Sequence, residues 1–363
     1  MHLLNTAPLI LALAALSACG APRYRVDPAA IEIVREQAME CSSADPAPTW
    51  NPEQTILAMR ASEGFALYRE NAPLDMLTPK LRRSAGGPQW LDGTTLLFGA
   101  DTNVVPTPSG RWVAAPDGLT TILLTGKRDE KTGNLAKFGY MPRVDDDGWI
   151  YLQSEDAIMR VRQGGEPEHV VRGFFPVPQR GGEGLAWNTV PVIEQDLWTG
   201  KGATGSLIVR WSPGRTQEFP GVVQPQWMPG RKGLLATRLR QAPQDGVFGL
   251  RAIAGTPGDV IAIDGEGSDA RVVLANAHSP AMHPTADLIA AIGRSGELIL
   301  CDLRGDRAAT LVAGRASQPS WSHDGRRLAY VRAPEQGPRT PPDAMPEVVV
   351  LSLRTRTAEE MAR

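Results

Sequence analysis

The stretch Pro319-Ser320-Trp321-Ser322-His323-Asp324-Gly325-Arg326-Arg327-Leu328-Ala329-Tyr330-Val331 decides the fold. Proline opens a strand at a position that need not donate to a ladder. Tryptophan supplies a large ring for packing between neighbouring sheets. Asp324-Gly325 offers the positive φ of a tight hairpin turn. Leu328 to Val331 then forms the return strand.

The same grammar recurs along the chain. Pro48-Thr49-Trp50, Pro88-Gln89-Trp90 with Asp92-Gly93, and Pro225-Gln226-Trp227 with Pro229-Gly230 each precede a short apolar run. Looser copies start at Pro142, where Asp145-Asp146-Asp147-Gly148 is the turn, at Pro280, and at Pro178, with Leu185-Ala186-Trp187 as return strand. The starts 48, 88, 142, 178, 225, 280 and 319 are separated by 40, 54, 36, 47, 55 and 39 residues. That scatter surrounds the roughly 40–45-residue period of a four-stranded propeller blade.

Each unit continues into a second hairpin. Glu297 to Gly305 leads to Ala309-Thr310-Leu311-Val312, and similar pairs begin at Phe65, Ala157, Leu207 and Val260; Glu347 to Leu353 is the last strand. The whole pattern closely resembles the WD40-like repeat of the TolB type, over residues 48 to 357. The resemblance implies an all-β, single β-propeller of four-stranded blades. Seven starts give seven blades. Pro106 to Val113 mimics a hairpin and would add an eighth, whereas discounting Pro178 leaves six, as in TolB itself. TolB's amino-terminal α/β domain has no counterpart, so no role in the Tol-Pal system is implied.

Residues 7 to 18 are apolar and end in small residues before Cys19. Twelve residues are too few to span a bilayer and match a signal-peptide core. Leu16-Ser17-Ala18-Cys19 resembles the bacterial lipoprotein signal, in which residues 1–18 are removed and the Cys19 thiol takes the lipid. Gly20 follows where that family's inner-membrane retention signal has Asp, which points to the outer membrane, facing the periplasm. Residues 19–47 read as a lipidated spacer. Within it Asp27-Pro28 starts a short helix as N-cap and N1, with Ile31, Val34 and Ala38 on one face. The propeller is then expected over 48–363.

Composition excludes several classes. Of 363 residues 37 are Gly and 31 Pro, about 19% together, against a usual total of roughly 12%, which suits many short strands and turns. Net charge is −2, and only 6 of 38 basic residues are Lys. Nucleic-acid binders depend on clustered cations, so no nucleic-acid partner is expected.

P-loop, GxGxxG, HExxH, GxSxG and CxxC are all absent. TolB-type blades also precede prolyl-oligopeptidase-like hydrolase domains, but too few residues follow the last unit for one. No cofactor is expected. His278, His283 and His323 fall in adjacent repeats, and oligogalacturonate lyases, which resemble this repeat family, use such a cluster for a metal. His283 and His323 occupy the repeat's turn, which predicts solvated side chains rather than ligands. Asp145-Asp146-Asp147-Gly148 lacks the ligands of a calcium loop, and Arg180-Gly181-Gly182-Glu183-Gly184 reads as a distorted turn. With Cys19 lipidated, Cys41 and Cys301 remain as a possible disulfide in an oxidising compartment, or Cys301 is a small buried hydrophobe. The expected function is a lipid-anchored scaffold binding an envelope protein or peptide. The alternative is a metal-dependent carbohydrate lyase or lactone hydrolase with its site in the channel.

Overall fold

The computed structural model describes residues 23–361 except 41–45, 62–63, 78–82, 107–111, 124–130, 137–139, 155, 163–164, 190–204, 241–257, 266–269, 336, 338–340, 342–343 and 358–359. The predicted signal segment 1–18, Cys19 and Cys41 lie outside the described residues.

The described strands form seven antiparallel four-stranded sheets. The first strands of successive sheets touch one another around a closed ring. This is a seven-bladed β-propeller. Blades 1 to 6 span residues 49–77, 83–136, 140–172, 174–220, 222–275 and 277–312. Pro106 to Val113 is not an eighth blade: Thr95–Pro106 and Trp112–Leu123 pair as one long hairpin inside blade 2. The fourth unit begins two residues earlier than its sequence suggests. Its first strand is Phe174–Pro178, and Pro176 is the repeat proline.

Blade 7 is assembled from both ends of the chain. Ala316–Trp321, Arg327–Arg332 and Glu347–Thr355 supply three strands, and Ile31–Glu40 pairs antiparallel with the last. The helix expected from Asp27 is therefore a correction. Asp27 does cap, accepting from Ala29 N at 3.1 Å, but the turn is a 3-10 helix of only Pro28–Ala30. Two effects favour the strand. Ile31, Ile33 and Val34 are β-branched, and the open edge of Glu347–Thr355 offers a row of unpaired backbone groups. A register shift between Ile33 and Arg35 leaves Val34 exposed and brings Met39 inside. The propeller thus begins at residue 31 rather than 48.

The core is not one nucleus but seven layers, one at each blade interface. Trp321, Leu328 and Tyr330 of blade 7 meet Leu288, Ala290 and Leu300 of blade 6. Met39, Val348 and Val350 of blade 7 meet Trp50, Leu57 and Tyr68 of blade 1. Comparable clusters fill the other five seams. Sheets that bury both faces in this way read as continuous apolar runs, such as Leu288–Gly293, buried at every position.

The repeated tryptophans also tie blades together. Trp90 Nε1 donates to Thr49 O at 3.2 Å, Trp227 to Val177 O at 2.8 Å, Trp321 to Ala281 O at 3.1 Å and Trp50 to Ser320 O at 2.9 Å. Each acceptor sits one residue before the aromatic position of the preceding blade. Val144, Pro178 and Met282 hold that position in the blades without the indole.

Candidate functional site

Propeller chemistry is placed by the first strands, which line the channel, and by the turns at the two rims. In every first strand whose repeat proline follows a described pair, the ladder slips at that proline. The residue before it holds positive φ in five blades: Ala47 (42°), Phe175 (55°), Gln224 (53°), Ser279 (52°) and Gln318 (51°). Such a conformation in a non-glycine residue costs on the order of 1 kcal/mol. It also takes an N–H out of the ladder, and the preceding blade supplies the acceptor. Gln153 Oε1 accepts from Phe175 N at 3.2 Å, and Gln224 Oε1 accepts from Ser279 N at 3.0 Å. Gln226 Oε1 likewise accepts from Met282 N at 2.8 Å. The amides near the channel are thus used to join blades.

The three histidines do not converge. His278 lies in the strand Ala277–Met282 and His283 just after it, about 17 Å apart along an extended chain. His283 is not solvated, as its turn position suggested, but buried at 5% exposure. Its Nδ1 accepts from Ala286 N at 2.9 Å and Thr285 N at 3.2 Å, which leaves Nε2–H to donate to Gly325 O at 3.1 Å. Its ring meets Trp321 edge to face, centroids 4.8 Å apart. His278 is also buried, its Nδ1 2.9 Å from Ser279 Oγ. Burial pushes both rings down to about 4, so both are neutral at pH 7. His323 is half-buried in the blade 7 turn. Among the described residues no group of three or more His, Cys, Asp or Glu is placed to hold a metal. With both His283 nitrogens committed, these residues do not fit the metal site that the repeat's resemblance suggested.

Other candidates are structural in the same way. Asp145 Oδ1 accepts from Asp147 N and Trp149 N, and Gly148 has φ 76°, so the acidic run is a turn. Gly181 (φ 67°) serves the corresponding turn of blade 4. Cys301 is buried with a free thiol between blades 5 and 6, and burial pushes that thiol up to about 12.

A cleft lies on blade 7. It has a volume of about 750 Å³ and is lined by Glu40, Arg315, Arg332, Glu335, Met345 and Glu347, among others. It sits where the blade 6–7 connection, the second turn of blade 7 and the end of Ile31–Glu40 meet. Arg332 bridges Glu36 at 2.8 Å and Glu347 at 2.7 Å, and Arg315 pairs with Glu335 at 3.3 Å. Met345 is exposed beside them. Sequence reasoning missed this cleft because its wall is a strand from the other end of the chain.

No protein-family model matches the chain, and no curated protein matches it. Solved structures do. An oligogalacturonate lyase in complex with manganese aligns with TM-score 0.53 at 11% identity, covering 91% of this chain and 98% of that one. U3-55K aligns with TM-score 0.52 at 10% identity, over 87% and 98%. The β-propeller domain of Myceliophteria thermophila Cps50 (Swd1) aligns with TM-score 0.51 at 12% identity, over 89% and 99%. At these identities the likeness is one of fold: the chain is a WD40-like β-propeller.

Proposed function

We propose that the protein is a lipid-anchored propeller of the bacterial cell envelope that binds an envelope protein or peptide in the blade 7 cleft. One observation carries the reading. Both ring nitrogens of His283 are taken up by its own turn and by the bond to blade 7, whereas the cleft leaves Arg, Glu and Met side chains accessible on a rim. Its volume falls in the range of ligand pockets, and paired charges beside an exposed Met suit an extended peptide. The lipobox at Leu16 to Cys19 supports anchoring through Cys19, with Gly20 favouring the outer membrane.

A photoreactive residue at Met345, in cells expressing the full chain, tests the binding. The expected result is one identified adduct that is lost in Glu335→Arg. Adducts that are absent, or indifferent to the cleft substitution, would overturn it. Cys19→Ala is expected to release the protein from membranes.

The runner-up, a metal-dependent lyase or lactone hydrolase, makes a different prediction. Stoichiometric metal in the purified protein, lost on substitution of His278 or His323, would replace the scaffold reading.

A further inference from the structure

We infer that the propeller stands on a phospholipid bilayer with one defined rim toward the headgroups: the rim carrying the first turns of blades 5 to 7 and the third turn of blade 6. This rests on the lipidation of Cys19 proposed above.

The inference starts from where the amino-terminal segment is fastened. Arg23 is nearly buried, its side chain 7% exposed. Its guanidinium donates to Pro229 O at 2.9 Å, Pro284 O at 3.2 Å, and to the carbonyls of His283 and Ala286. Its Nε lies 3.2 Å from Asp287 Oδ1. These partners belong to the first turns of blades 5 and 6. The segment stays on that rim: Tyr24 bridges Ala286, Arg25 reaches Asp302 at 2.9 Å, and Asp27 pairs with Arg307 at 2.6 Å. Asp302 and Arg307 flank the third turn of blade 6.

Chain length does the rest. Cys19 precedes Arg23 by four residues, a reach of at most about 14 Å. The six-residue strand Ala277–Met282 sets the rims roughly 20 Å apart. A lipid on Cys19 therefore cannot pass the opposite rim and holds this one at the membrane. Exposed Lys232, Arg304 and Arg326 project from the same turns and offer cations to headgroup phosphates. In an antiparallel blade the second turn and the blade-to-blade connection lie at the other rim. The blade 7 cleft is there, so it faces away from the bilayer.

The test uses the lipidated full chain in vesicles of phosphatidylethanolamine and phosphatidylglycerol. In a Cys41→Ser background, a fluorophore is placed at Lys232→Cys, Arg304→Cys or Ser295→Cys, the last on the second turn of blade 6. Headgroup-proximal nitroxide lipids are expected to quench positions 232 and 304 at least twofold more than 295. The unsubstituted protein gives an independent reading: phenylglyoxal should modify Arg294 and spare Arg304 and Arg326 when vesicles are present. Mass spectrometry of peptide 19–23 reports lipidation separately. A lipidated Cys19 with equal or reversed quenching and arginine protection overturns the orientation and leaves the anchor standing. An unmodified Cys19 overturns the anchor and the orientation together.

Discussion

The indole N–H of Trp50 donates to the carbonyl of Ser320 at 2.9 Å, across 270 residues of chain. It joins blade 1 to blade 7 and closes the ring. The ladder between Ile31–Glu40 and Glu347–Thr355, inside blade 7, ties the amino-terminal segment to the last strand of the chain. Ring closure is thus made twice, once by a repeated side chain and once by strand pairing.

Trp50→Phe keeps most of the apolar area and deletes the donor. A loss of about 1–2 kcal/mol in urea unfolding is expected, because a desolvated carbonyl loses a partner. Trp50→Ala should cost about 3–5 kcal/mol. A Trp50→Phe variant as stable as wild type would mean that the bond contributes nothing.

The amino-terminal strand makes a prediction that a helix would reverse. Val34 lies on the apolar face of the expected helix but is 53% exposed in the strand, whereas Met39 is buried at 7%. Val34→Thr should stay within about 0.5 kcal/mol of wild type, and Met39→Ala should lose about 2–5 kcal/mol. Deleting residues 31–40 should bare the edge of Glu347–Thr355 and promote aggregation, visible by light scattering.

His278 and His283 set a pH dependence. Burial lowers both from 6.5 to about 4 in the folded state. Between those values the unfolded chain binds more protons, so stability is complete above pH 6.5 and falls as pH drops toward 4. The limiting loss is roughly 3 kcal/mol per ring. Unfolding midpoints of wild type and His283→Asn, compared at pH 7 and pH 4.5, should converge at the lower value. An unchanged difference would place the titration elsewhere.

Cys301 should be unreactive in the folded protein. The thiolate attacks alkylating reagents, and burial pushes the thiol up to about 12. Iodoacetamide is expected to modify it only at the rate of unfolding. Rapid alkylation of native protein at Cys301 would contradict its place between blades 5 and 6. A mass shift showing Cys301 bonded to Cys41 would contradict its free thiol.

Much of the ring was legible from sequence because each blade repeats the same local bargain. Proline starts the first strand, an aromatic residue fills the seam, and a polar turn reverses the chain; these are short-range constraints that survive as pattern. Pro178 misled because Pro176 and Pro178 both fit the template, and only the register of Phe174 against Asn188 selects the former. The histidines misled for a different reason. A turn residue is ordinarily solvated, yet here Arg23 and the turn of blade 7 cover His283.

The sequence by itself determined the fold class, the blade period and the four ring-joining tryptophans. Tertiary structure alone decided how the ring closes, where the amino-terminal segment is fastened and which residues enclose the cleft. The physical reason is range. Strand, turn and burial preferences act over a few neighbours and leave a periodic trace. The pairing of Glu40 with Glu347, or of Arg23 with the carbonyl of Ala286, joins segments hundreds of residues apart and leaves none.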